Sequence, residues 1–316
     1  MWRLISVGLV GAIGLFVATG ASGEPGPVCF GKPATIVGAG TIGGTPGNDV
    51  IVGSNGNDVI DGFGGNDRIC ALDGIDLVIG GLGNDFVDGG NGGNPAGGPG
   101  NERIIGDVRA TGDVSTYGGN DVLVGGEGGD LFVGDNQSVA GTAGGTGGND
   151  LIYSGGGADF VMGDHRSTGP GSVTGRGGND FIDLGDGDDG VSGDHLGANG
   201  APDPGGNDFV LGGSGNDFLV GDTGIFDVGT ISGDGGNDVL IAGPGDDTVL
   251  GDHSPVEGTP TGEAGNDVLL GDDGNDDLVG DSRSDALEPS GDGIDSCEGG
   301  AGTDTAALCE SITGVP

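Results

Sequence analysis

One large apolar residue recurs along the chain two places after an acidic residue, and glycines separate each such residue from the next. The apolar positions are Ile51, Ile60, Ile69, Val78, Val87, Ile104, Leu123, Phe132, Ile152, Val161, Ile182, Val191, Val210, Leu219, Leu240, Val249, Leu269 and Leu278. Around them lies a nine-residue unit, G-G-x-G-x-D-x-U-x, in which U is the apolar residue. Gly80-Gly81-Leu82-Gly83-Asn84-Asp85-Phe86-Val87-Asp88 fits it at every defined position. Asp49, Asp58, Asp67, Asp76 and Asp85 stand nine apart. Beyond them the unit comes in pairs: Asp121 with Asp130, Asp150 with Asp159, Asp180 with Asp189, Asp208 with Asp217, Asp238 with Asp247, Asp267 with Asp276 and Asp295 with Asp304. A degenerate unit carries Glu102 in place of the aspartate.

Side chains alternate faces along a strand, so x-U-x predicts a short strand with U inward and both neighbours outward. The glycine-rich half predicts a turn. Repetition at a fixed period predicts stacked units that share one continuous core. Between pairs lie insertions such as His165 to Arg176, Thr223 to Asp234 and His253 to Ala264, rich in Gly, Pro, Ser and Thr, which read as loops. Ser172-Val173-Thr174 and Thr230-Ile231-Ser232 within them suggest a third, weaker strand in each coil. The residue just after the repeat aspartate should face outward, yet it is often apolar: Phe86, Val122, Leu131, Phe160, Phe181, Phe209, Phe218, Val239 and Val268. Such a row marks a partner surface unless the insertions fold over it, and covering by the insertions is the expectation.

Composition narrows the function. Glycine supplies 83 of 316 residues, against roughly 7% in ordinary proteins, but not at every third position, which excludes collagen. The net charge is −42. Nucleic acid and anionic membrane surfaces would repel such a chain, and cations are its natural partners.

Met1-Trp2-Arg3, the apolar run Leu4 to Ala18 and the small residues that follow have the layout of a secretory signal peptide, assigned to residues 1–23. No membrane span is expected after its removal. Cys29, Cys70, Cys297 and Cys309 are then an even set in an oxidising compartment, which predicts two disulfides. Three pairings are open. Clustering at the two ends favours Cys29–Cys70 and Cys297–Cys309, and free buried thiols are the alternative.

The repeat resembles the RTX (repeats-in-toxin) calcium-binding nonapeptide family, over roughly residues 43 to 307. The resemblance implies an all-β, right-handed parallel β-roll, or β-solenoid, built from GGxGxDxUx repeats with loop insertions and two nonapeptides per turn. It also implies calcium between adjacent coils, held by backbone carbonyls and by the aspartates named above, nineteen in all from Asp49 to Asp304. Two departures stand out. Family members commonly use a C-terminal secretion signal, whereas this chain has an N-terminal one, and they commonly append the repeats to a toxin, protease or lipase, of which no domain is visible here.

Physical argument points to the same metal. Equivalent aspartates one coil apart lie about 4.8 Å from each other and repel by about 3.5 kcal/mol at an effective dielectric near 20. One aliphatic side chain per nine residues is a thin core to set against the entropy of so much glycine. A divalent cation between coils reverses the repulsion. Calcium accepts six to eight oxygens in loose geometry, whereas zinc would want His or Cys, which the repeats lack.

Other motifs carry less. His165, His195 and His253 occupy one repeat position, either as a transition-metal site or, as favoured here, as polar loop starts. The aspartates of the preceding Gly-Asp (Asp107, Asp135, Asp164, Asp194, Asp222, Asp252 and Asp281) are extra ligands or turn caps with equal claim. No GxSxG elbow, HExxH helix or EF-hand loop occurs, so no enzyme is expected. The expected organisation is a cap segment over 24–42, an uninterrupted roll over 43–88, a roll with insertions over 89–290 and a terminal coil and cap over 291–316. The expected function is a secreted, extracellular calcium-binding β-roll that folds on binding many ions. The alternative is a calcium-rigidified adhesin presenting loops or an apolar row to a cell-surface or polysaccharide partner.

Overall fold

The computed structural model describes residues 26–90, 101–197, 200–202, 204–225, 233–253, 262–281 and 293–315. The expected signal segment lies outside these residues, as does Thr230-Ile231-Ser232. Among the described residues all regular structure is β.

Two long sheets carry the repeats. The twelve strands of the first run from Ile36–Val37 through Val50–Val52, Arg68–Cys70 and Phe86–Asp88 to Ser311–Thr313. The eleven of the second run from Thr41–Gly43 through Val59–Asp61 and Leu77–Ile79 to Thr305–Ala307. The chain visits the two sheets alternately, so each winding gives one strand to each. Pairing within both sheets is parallel: Ile51 faces Ile69, which faces Val87, and Ile60 faces Val78, which faces Ile104. A slip of one residue would turn every U position outward, so burial of U fixes this register. The architecture is a parallel β-roll, a β-solenoid with two nonapeptides to a winding.

The U side chains form one axial file between the sheets, and all eighteen are buried. Ile36 and Ile42 extend the file at one end, and Cys297 and half-buried Ala306 extend it at the other. Disulfides join Cys29 to Cys70 and Cys297 to Cys309. No described helix is long and apolar enough to cross a membrane.

The insertions differ from the sequence expectation in two ways. They add two strands to a winding rather than one. Strands such as Gln137–Ser138 and Arg166–Ser167 build a five-stranded sheet, and strands such as Ala143–Thr146 and Val173–Arg176 build a four-stranded one. They also cover only part of the outward apolar positions. On the second sheet, Ile105, Val133 and Met162 are buried in a cluster with Leu196 of an insertion. At its start the outer face of the first sheet is covered by the segment around Cys29, which packs on Val52 and Cys70. Farther along it stays open, with Leu151, Tyr153, Phe209 and Val268 exposed and the ring of Phe181 stacked on that of Phe209 at 5.6 Å. Phe218, on the second sheet, is exposed as well. The path of the chain explains the asymmetry. The insertions that carry these extra strands leave after a second-sheet strand and return before the next first-sheet strand, so they lie against the second sheet and one edge.

Candidate metal centre

The turns between strands stack as closely as the strands do, and this requires glycine. Gly83 has φ +136°, and a Cβ there would overlap the Gly65 carbonyl one winding below. Gly157 has φ +134° and bears the same relation to Gly128.

This stacking brings the repeat aspartates into two axial files. One, beside the first sheet, runs Asp49, Asp67, Asp85, Asp121, Asp150, Asp180, Asp208, Asp238, Asp267 and Asp295. The other, beside the second sheet, runs Asp58, Asp76, Glu102, Asp130, Asp159, Asp189, Asp217, Asp247, Asp276 and Asp304. All twenty side chains are buried. In both files the main-chain N–H of one aspartate donates to Oδ1 of its equivalent on the next winding. Examples are Asp67 to Asp85 at 2.7 Å, Asp150 to Asp180 at 2.8 Å and Asp276 to Asp304 at 3.1 Å. Oδ1 is thereby used. In seventeen of the nineteen aspartates, Oδ2 is buried with no hydrogen-bond partner among the described residues. A buried acceptor left unpaired costs about 1–3 kcal/mol, and more when it is charged.

Asp49 and Asp58 are the two exceptions. Oδ2 of Asp49 accepts from the N–H and the hydroxyl of Thr45, at 2.7 and 2.8 Å. Oδ2 of Asp58 accepts from the N–H and the hydroxyl of Ser54, at 2.7 and 3.0 Å. Thr45 and Ser54 stand at the position of the second glycine in the nine-residue pattern.

Main-chain carbonyls face the unpaired oxygens. A Cβ on Gly134 would overlap both the Gly163 carbonyl oxygen and Asp150 Oδ2, and one on Gly62 would overlap the Gly80 carbonyl oxygen and Asp67 Oδ2. Each gap is lined by carboxylate and carbonyl oxygen and kept open by the lack of a side chain. No three His, Cys, Asp or Glu side chains converge on a metal position among the described residues. The donor set is therefore one or two carboxylates completed by backbone oxygen. That set fits calcium, a hard cation of high coordination number, and does not fit zinc.

The electrostatics of the metal-free chain are unfavourable. Burial, together with the charge of neighbouring aspartates, pushes Asp67 and Asp76 up to about 6. The same causes push Asp85, Asp189 and Asp247 up to about 7. Asp150, Asp180, Asp208 and Asp238 are raised well above the usual carboxylate range, first by burial and then by the charge of neighbouring aspartates, which for Asp208 is that of Asp194 before Asp180. Glu102 is pushed up to about 9 by burial and by Asp130.

The Gly-Asp aspartates line the insertion-bearing edge. Asp107 accepts from Gly119 N–H at 2.7 Å and Asp222 from Gly236 N–H at 2.8 Å, closing the base of an insertion in each case. The three histidines are buried beside them. Nδ1 of His165, His195 and His253 lies 3.7, 3.9 and 3.9 Å from Asp135, Asp164 and Asp222. The rings of His165 and His195 stack at 4.9 Å. Burial holds all three below the usual imidazole value, and they start their loops as a packed column.

Several residues of the site carry roles that the repeat pattern alone does not express. Asparagines preceding the aspartates form exposed ladders of opposite sense: Asn207 N–H donates to Asn179 Oδ1 at 2.7 Å and Asn237 N–H to Asn207 Oδ1 at 3.0 Å. The recurrent Asn-Asp dipeptide is the signal for them. Glu310 ends the first file, accepting from Asp295 N–H at 2.7 Å. Nothing periodic announces it, or Thr45 and Ser54.

The profile of the RTX calcium-binding nonapeptide repeat, which spans four copies of the unit, matches residues 43–78, 71–94, 114–138, 145–164, 167–194, 205–225, 229–252 and 261–287. These segments make up more than half of the chain. No match to a curated protein was found.

Proposed function

The chain belongs to the family of RTX calcium-binding nonapeptide repeats, and on that premise we propose that it is a secreted β-roll whose folding is coupled to calcium loading between its windings. The observation that carries this reading is the row of seventeen buried Oδ2 atoms without a partner. These atoms, from Asp67 to Asp304, are the proposed ligands, with facing carbonyls such as those of Gly80 and Gly163 completing each shell. Binding to the folded state alone stabilises it by mass action. In an extracellular compartment rich in calcium, the ion would thus act as the folding trigger.

Circular dichroism of the mature chain during a calcium titration, with magnesium as control, tests the proposal. The β signal should grow with calcium and respond weakly to magnesium, which keeps its water and demands tighter geometry. A full β signal in excess chelator would overturn the coupling.

The bare face of the first sheet favours a second reading, a rigid surface module that docks through Tyr153, Phe209 and their neighbours. Calcium-dependent retention on a polysaccharide or on cells, lost in a Tyr153→Ser/Phe209→Ser variant, is its expected signature.

A further inference from the structure

The files of repeat aspartates leave unexplained a third file of buried carboxylates, which runs along the insertion-bearing edge alone. Resting on the calcium reading above, we propose that this edge holds a second class of calcium site, in which a Gly-Asp carboxylate joins the repeat aspartate as ligand.

The windings around Asp222 and Asp252 show why. Oδ1 of Asp222 accepts from Gly236 N–H and Oδ1 of Asp252 from Gly265 N–H, both at 2.8 Å. Those bonds cap the insertions and occupy one oxygen of each group. The other oxygen, Oδ2, is buried without a hydrogen-bond partner in both, and the same holds for Oδ2 of Asp238 and Asp267 in the repeat file. The two files meet in the same turns. A Cβ on Gly235 would lie 3.0 Å from Asp222 Oδ2 and overlap Asp252 Oδ1. One on Gly221 would overlap Asp238 Oδ2 and the Gly251 carbonyl oxygen.

No lysine or arginine pairs with this file among the described residues. His253 lies 3.9 Å from Asp222 Oδ2, beyond hydrogen-bond reach, and burial disfavours its charged form. Asp267 is pushed up to about 9, by burial first and by the charge of Asp252 next.

A turn cap alone would not need these charges, because asparagine caps a turn as well as aspartate does. The two edges also differ in the space they keep. The residue that opens each turn on the insertion-bearing edge is glycine in every winding from Gly62 to Gly280, whereas the opposite edge accepts Ala71, Ser154, Leu184 and Ala242. A Gly-Asp carboxylate in the turn next to a gap lined by a repeat carboxylate and a carbonyl, as Asp222 is beside Gly221, makes a more strongly charged calcium site than one carboxylate does, and charge count tunes calcium affinity.

The test counts bound calcium on the full mature chain by equilibrium dialysis, with calcium as the only added metal, for the wild type and for Asp222→Asn, Asp252→Asn, Asp238→Asn and Asp217→Asn. The amide that replaces the Asp222 carboxylate keeps an acceptor for Gly236 N–H, so the cap survives while the charge is lost. Asp222→Asn is expected to lose one ion or to bind it at least tenfold more weakly. Asp252→Asn should repeat that result one winding on. If Asp222→Asn and Asp252→Asn both match the wild type in count and midpoint while Asp238→Asn and Asp217→Asn each lose an ion, the third file only caps turns and this inference fails alone. If all four match the wild type, the calcium reading itself fails.

Discussion

The main-chain N–H of Asp217 donates to Oδ1 of Asp247, 2.8 Å away and one winding on. One oxygen of Asp247 thus holds the windings together while the other, Oδ2, has no partner among the described residues. The two oxygens can be separated by mutation. Asp247→Asn keeps the acceptor and removes a buried charge, so in chelator it should be at least as stable as the parent while binding one calcium fewer. Asp247→Ala also strands the Asp217 N–H, which costs a further ~1–3 kcal/mol. Thermal melts of both variants, with and without calcium, check this order. An alanine variant as stable as the asparagine variant in chelator would argue against the ladder.

The response to pH should change sign with the metal. Asp85, Asp189 and Asp247 sit at about 7 in the fold, chiefly through burial, against the usual 3.8. The metal-free fold therefore favours their protonated forms. The stability this lends is fully present below 3.8 and is lost as pH rises through about 7. Calcium needs the deprotonated carboxylates, so protons compete with it. In chelator the β signal should be stronger at pH 5 than at pH 8, and half-saturation by calcium should need more metal at pH 5. A chelated chain that gains structure on going from pH 5 to pH 8 would contradict the assignment of buried, uncompensated carboxylates.

Thr45 and Ser54 give the start of the roll a local substitute for metal. Their hydroxyls bond the oxygens of Asp49 and Asp58 that are unpaired elsewhere in the files. Asp49→Asn and Asp58→Asn should leave the number of bound calcium ions unchanged, in contrast with Asp247→Asn. Thr45→Gly with Ser54→Gly should make the first windings depend on calcium like the rest. The loss would appear as faster amide exchange over Val50–Val52 and Val59–Asp61 in chelator, by about fivefold for each hydroxyl bond of roughly 1 kcal/mol. Equal calcium loss in Asp49→Asn and Asp247→Asn would show that the hydroxyls do not replace the ion.

What could be read from the sequence follows from what repeats. Asp85 and Val87 are placed by a nine-residue period, and a period that long fixes strand, turn and inward face together, so Val87 is buried where alternation puts it. Asn179 and Asn207 recur as regularly, but their bond depends on which winding stacks on which. The bare ring of Phe209 could not be foreseen, because its exposure depends on the path of an insertion that never reaches the first sheet. Thr45, Ser54 and Glu310 act by breaking the pattern at its ends, and a periodic signal is weakest there.

The two disulfides should protect the ends of the roll and little else. Cys29–Cys70 closes a separation of 41 residues and Cys297–Cys309 one of 12. By loop-closure entropy these contribute about 4 and about 3 kcal/mol respectively. In a solenoid each winding contacts only its neighbours, so such losses appear as fraying from the affected end rather than as a global shift. Cys29→Ser with Cys70→Ser, in saturating calcium, should therefore speed amide exchange in Thr41–Gly43 and Val50–Val52 by several hundredfold or more. Exchange in the central strands Leu151–Gly156 and Phe181–Asp186 should stay as in the parent. Uniform acceleration along the whole chain would mean that the windings unfold as one cooperative block, and the one-dimensional picture of the roll would have to be given up.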